Sequence, residues 1–174
     1  MKLTRAGVVT GALILTATTL AAAPAVANGG DAEDIVGTSG DDILLGGSGR
    51  DALWGQGGDD VLRAGSQAAE GMVFLRGGGG NDTSYGGKHG DHLVGGSGSD
   101  TFYARGGADT VYPDRGIDVV RLGKGNDTGL VVELDNKVDV FYCGPGNDSV
   151  VYYYDQIDPR DQHHGCESVE YAVD

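Results

Sequence analysis

Cations, proline, cysteine and aromatic residues are all scarce in this chain of 174 residues, and each scarcity narrows what it is. Only 12 Lys and Arg stand against 26 Asp and Glu, a net charge of −14. A chain this acidic repels nucleic acid and anionic lipid, so neither is expected as a partner, whereas cations are attracted. Two cysteines allow at most one internal disulfide. No H-E-x-x-H, G-x-S-x-G, P-loop or EF-hand string occurs, which removes the common signatures of zinc proteases, serine hydrolases, nucleotide-binding loops and helix–loop–helix calcium sites. Long apolar runs are missing too, with one exception at the N-terminus.

That exception spans residues 8–23, behind Lys2 and Arg5 and ahead of Ala25, Val26 and Ala27. A short positive region, an apolar stretch and small residues form the layout of a secretory signal, too short and poorly flanked for a membrane span. Cleavage is expected after Ala27. The exported chain then carries 10 cations against 26 acids, a net charge of −16, and no segment that would insert in a membrane.

What the chain has in abundance is glycine, 33 copies against 4 prolines. Glycine loses more backbone entropy on folding than any other residue, so such a mixture either stays disordered or places its glycines where positive φ is required. Periodicity decides for the second. From Gly37 to Val151 twelve nine-residue units follow G-G-x-G-x-D-x-U-x, with U apolar, broken by insertions at 64–67 and 131–133. The sixth position is Asp in eleven: Asp42, Asp51, Asp60, Asp82, Asp91, Asp100, Asp109, Asp118, Asp127, Asp139 and Asp148, with Val73 the exception. The fourth is Gly except at His89 and Lys137, and the eighth is apolar except at Ser84 and Gly129.

These units resemble the RTX, or hemolysin-type calcium-binding, nonapeptides of bacterial secreted proteins. The resemblance implies an all-β fold, a right-handed parallel β-roll (a β-solenoid) with two repeats per coil, in which GGxGxD forms a turn and the last three residues a short strand. Residues 18 apart then stack. The residues fit that reading: alternation points the eighth side chain inward, and strand formers fill its flanks. Ca²⁺ takes six to eight hard oxygen ligands, more than one turn holds but within the means of two stacked turns. Stacked carboxylates otherwise repel every ~4.8 Å, so metal binding is expected to drive folding. The plainer reading is that Asp and Gly only build tight turns.

Sorted by side of the coil, the aspartates form two columns. Asp42, Asp60, Asp82, Asp100, Asp118 and Asp139 are unbroken; Asp51, Val73, Asp91, Asp109, Asp127 and Asp148 are broken once. Five adjacent pairs and three give an expectation of about eight Ca²⁺ ions, weakest beside the insertions.

Four parts are therefore expected: a signal peptide at 1–27, an N-terminal cap at 28–36 with Glu33 in the aspartate place, the roll at 37–151, and a C-terminal cap at 152–174. An oxidising compartment favours a disulfide between Cys143 and Cys166, pinning that cap; two free thiols are the alternative. His89, His92, His163 and His164 read as exposed turn residues. Arg63, Tyr85, Tyr103, Arg121 and Tyr142 are expected to stack on one outer face, as a self-stabilising ladder or as a surface for a glycan or protein. With no unrepeated stretch of 50 residues, no enzyme domain is expected. The chain reads as a monomeric secreted calcium-binding protein, or alternatively as a calcium-dependent adhesion module for cell surfaces or glycans.

Overall fold

The computed structural model describes residues 13–14, 25–26, 32–65, 71–132, 135–153 and 159–172. The expected signal peptide lies outside the described residues apart from two dipeptide strands. Among the described residues there is no helix, and so none long and apolar enough to cross a membrane.

Among the described residues seventeen strands alternate between two parallel sheets, as two repeats per coil require. One sheet runs β1 (Leu13–Ile14), β3 (Asp34–Val36), β5 (Ala52–Gly57), β7 (Phe74–Gly79), β9 (His92–Ser97), β11 (Thr110–Arg115), β13 (Thr128–Val131), β15 (Ser149–Tyr152), β17 (Ser168–Tyr171). The other runs β2 (Ala25–Val26), β4 (Ile43–Leu45), β6 (Val61–Arg63), β8 (Thr83–Tyr85), β10 (Thr101–Gly106), β12 (Val119–Lys124), β14 (Val140–Tyr142), β16 (Gln162–His164). Phe102 pairs with Val120 and Val111 with Leu93, both 18 residues apart. The stacking is a β-roll.

Both insertions leave the register intact. Leu53 pairs with Leu75 and Val120 with Phe141, so the coils on either side of each insertion stay aligned. Their edges differ from the expectation. Ala64 is buried and donates its N–H to Tyr85 O, and Val131 is buried and pairs with Tyr152, so each continues its coil.

The interior is the eighth column, from Ile35 and Leu44 through Leu93, Phe102 and Val111 to Phe141 and Val150, each at most 2% exposed. A second inward row was not expected: Ala104, Leu122 and Cys143, at the first position of their units, are also fully buried. The reason is strand length. Six strands run for six residues instead of three, and alternation carries inward direction from position eight to the next position one. Gly129, an apparent failure of the pattern, is a fit. A Cβ there would lie 2.8 Å from the Phe141 ring, which fills that space from the opposite sheet.

At the C-terminal end the ladder continues through β16 and β17, closed by a Cys143–Cys166 disulfide. His163 is not an exposed turn residue. It lies in β16, half-buried, its ring stacked on Phe141 and its Nε2 2.9 Å from the buried Tyr152 hydroxyl. Burial pulls its pKa below the ordinary value, favouring the neutral ring. His164 is exposed but stacks on Tyr142 within the same strand.

Restoring the repeat pattern by Gly129→Val is expected to destabilise the roll by about 1–3 kcal/mol through overpacking. Adding Phe141→Ala should recover part of that loss; thermal unfolding of the single and double variants checks both. Replacing Cys143 and Cys166 together by Ala is expected to cost about 3 kcal/mol for a loop of 23 residues, read from denaturant midpoints.

Candidate metal centre

The two oxygens of a repeat aspartate have different tasks. In ten of the eleven, all but Asp42, Oδ1 accepts the backbone N–H of the residue at the same place in the coil before. Asp60 takes Asp42 N–H at 2.8 Å, Asp82 takes Asp60, Asp100 takes Asp82, Asp118 takes Asp100 and Asp139 takes Asp118 at 2.9 Å. In the second column Asp91 takes Val73 N–H, Asp109 takes Asp91, Asp127 takes Asp109 and Asp148 takes Asp127. The two columns expected from the spacing are therefore brought together, and Val73 keeps its place as a donor without supplying a carboxylate.

The columns end on residues outside the repeats. Asp161 Oδ1 accepts Asp139 N–H at 2.9 Å and Glu167 Oε2 accepts Asp148 N–H at 2.7 Å. Separations of 22 and 19 residues hid them from a nine-residue register, although the 21- and 22-residue steps across the insertions give the same signal. At the other end Glu33 sits below Asp51, whose Oδ1 accepts its N–H at 3.2 Å.

The fate of Oδ2 splits the turns into two kinds. For Asp42, Asp51 and Asp91 it accepts the N–H four residues earlier, from Thr38, Gly47 and Gly87. These turns are closed. For Asp60, Asp82, Asp100, Asp109, Asp118, Asp127 and Asp148 it is buried and has no hydrogen-bond partner among the described residues. In each of these seven the residue four earlier has positive φ: Gln56 79°, Gly78 118°, Gly96 115°, Arg105 79°, Asp114 68°, Gly123 104° and Gly144 108°. None of Thr38, Gly47 and Gly87 does. The left-handed residue turns its N–H away from the carboxylate and leaves the turn open. Gly77 shows the space this needs, since any Cβ there would collide with Asp82 Oδ2.

Two of the closed turns have a further mark. Gln56 Nε2 donates to Gly37 O at 2.9 Å, and Arg105 Nη1 donates to Gly86 O at 3.0 Å. Gly37 and Gly86 open the units of Asp42 and Asp91, so a side chain from the next coil supplies positive hydrogen-bond character to the carbonyl there.

A buried carboxylate oxygen without a donor is costly, and nature satisfies such groups. Burial pushes Asp60 and Asp100 up to about 7, and Asp109 and Asp118 up to about 8. The N–H of the preceding coil opposes the rise, and neighbouring carboxylates add to it. Asp82, Asp127 and Asp148 are raised by the same burial. The charges acting on these seven are all acids, whereas Asp91 alone feels histidines, His89 and His92. The open turns thus call for a proton or a cation.

The donor set decides which cation fits. Among the described residues no group of three or more His, Cys, Asp and Glu side chains gathers to hold a metal. Carboxylate oxygens lie beside backbone carbonyls of the next coil, Asp60 Oδ2 and Gly77 O both at Gly55, Asp100 Oδ2 and Pro113 O both at Gly95, a hard-oxygen set that suits a large hard ion and not a thiolate- or imidazole-seeking one.

Comparison with characterised proteins and with solved structures returns no match. The family model described as RTX calcium-binding nonapeptide repeat, in four copies, matches residues 36–68, 71–88 and 85–120. RTX repeats bind calcium and are typical of secreted bacterial proteins. The stacked turns, the aspartate columns and the matched repeats agree: residues 36–120 of this chain carry RTX calcium-binding nonapeptide repeats.

Proposed function

We propose that this is a secreted, non-enzymatic calcium-binding protein whose roll assembles when Ca²⁺ enters the open turns. The observation that carries this reading is the set of seven buried, unpartnered Oδ2 atoms, each behind a left-handed residue. Asp60, Asp82, Asp100 and Asp118 supply one contiguous run, and Asp109, Asp127 and Asp148 the other. Carbonyl oxygens of the facing turns would complete each shell. Asp42, Asp51 and Asp91 act mainly as backbone acceptors, so the eight ions expected from adjacent pairs become about seven. Asp139 joins the first column through its Oδ1 contact to Asp118. Export follows the N-terminal signal, with cleavage after Ala27, and the protein works as a monomer. Extracellular modules bind calcium with Kd of about 10⁻⁴–10⁻³ M, which keeps such a chain loose until it meets millimolar calcium outside the cell. Bound Ca²⁺ replaces the missing donors and turns carboxylate repulsion into cross-linking.

Circular dichroism of the mature chain should show a β spectrum appearing on calcium titration and not with magnesium; a spectrum already complete in chelator refutes metal-driven assembly. By calorimetry Asp118→Asn is expected to remove at least one ion and weaken the rest, whereas Asp42→Asn leaves the ion count unchanged. Equal losses from both would refute the division into open and closed turns.

The pH dependence has a definite sign. The folded pKa of Asp109 and Asp118 is raised from 3.8 to about 8. Protons held by the metal-free roll therefore stabilise it fully below pH 3.8, and that stability is lost as pH rises to about 8. Calcium-stripped protein should thus show more β signal in mild acid than at pH 8, and calcium affinity should climb through the same window.

A further inference from the structure

The outer face of the second sheet carries the stacked column in full. Arg63 lies 4.1 Å over Tyr85, Tyr85 stacks on Tyr103 at 4.9 Å, and Arg121 sits between Tyr103 and Tyr142 at 5.2 and 5.1 Å. His164 extends it by stacking on Tyr142 at 4.9 Å. This arrangement uses up the ring faces. Each inner tyrosine has a neighbour on both sides, so what points outward is a row of hydroxyls and guanidinium edges.

Beside this ladder, where the strands enter their turns, runs a groove of about 1230 Å³. Its lining includes Gly87, Gly106 and Gly123, together with Lys88, Arg105, Arg121 and Lys124. Among the described residues no Asp or Glu lines it. Four of the ten Lys and Arg after residue 27 thus gather in one place on a chain with net charge −14. All four side chains are exposed. Arg105 is held, over Tyr85 at 5.2 Å and on Gly86 O, so this part of the lining is preformed. Gly106 pairs with Lys124 and its missing Cβ would lie 4.0 Å from Lys88 O, so the two lysines stand on one column about 10 Å apart, two strand spacings.

We propose that this groove binds a linear polysaccharide bearing carboxylates at regular intervals. Charge complementarity selects an anion, and cations repeating along the roll axis match a polymer whose charges repeat too. Hydrogen-bonding edges in place of free ring faces suit sugar hydroxyls and not nucleobases, which bind single strands mainly by stacking on aromatic faces. The inference goes beyond calcium binding but rests on it in one respect: filling the open turns cancels most of the negative charge that otherwise keeps a polyanion away.

The test is calorimetry in millimolar calcium with a hyaluronan decasaccharide, against a neutral maltodextrin of equal length and a single-stranded DNA decamer. The decasaccharide should bind in a salt-dependent way, the neutral chain should not, and DNA should bind more weakly. Lys88→Gln with Lys124→Gln should weaken binding about tenfold or more while leaving the calcium-induced β signal unchanged. No affinity of a calcium-folded wild type for the decasaccharide, equal affinity of the double variant, or equal binding of the neutral chain or of DNA would each overturn the proposal. Binding undiminished in chelator would uphold the groove and count against calcium-driven assembly instead.

Discussion

The hydrogen bond from each coil's backbone to the aspartate of the next coil governs the rest of this structure. It pins coil to coil on both edges of the roll, from Asp42 to Asp161 and from Val73 to Glu167. It also fixes each carboxylate with one oxygen turned to the backbone, so the second must be satisfied from within its own turn or by something the chain does not supply. Bringing such groups together in a dry stack costs more than short strands recover, unless protons or cations share the site. Seven turns are left in that condition.

The choice between open and closed turns is made one residue at a time. A left-handed residue four places before the aspartate opens the turn; an ordinary φ there closes it with an N–H bond. Gln56 and Arg105 hold that conformation although they carry Cβ atoms, at about 1 kcal/mol or more each. Both reach back to the carbonyl that opens a closed unit in the coil before. Closed turns therefore lie toward the N-terminal end in each column, and the roll passes from internally satisfied turns to cation-demanding ones along its axis.

Outside the turns the coils are joined by more ordinary means. Inward rows of Leu, Val and Phe fill the space between sheets, with Gly129 making room for Phe141. An outward ladder of Arg and Tyr ties five successive coils by stacking and cation–π contact. At the last coil the buried Tyr152 and the half-buried His163 and Asp161 form a hydrogen-bonded group beside the disulfide, closing an end that would otherwise expose the interior.

Much of this was legible from the sequence. A period of nine with Asp, Gly and an apolar residue at fixed offsets carries the resemblance that implies an all-β roll with two repeats per coil, and the two columns and the Tyr–Arg ladder follow from that coil, because stacked coils force equivalent positions into contact. Strand length was not legible, since the pairing of positions one to three depends on backbone geometry that glycine leaves open. Nor were Asp161 and Glu167, which reach the columns at irregular separations where no motif surrounds them. The eleven aspartates look alike in sequence, yet the fold makes them unlike. Whether an oxygen is answered by an N–H or left bare depends on a φ angle four residues away and on a side chain from the coil beyond, and both are set only once the coils are stacked.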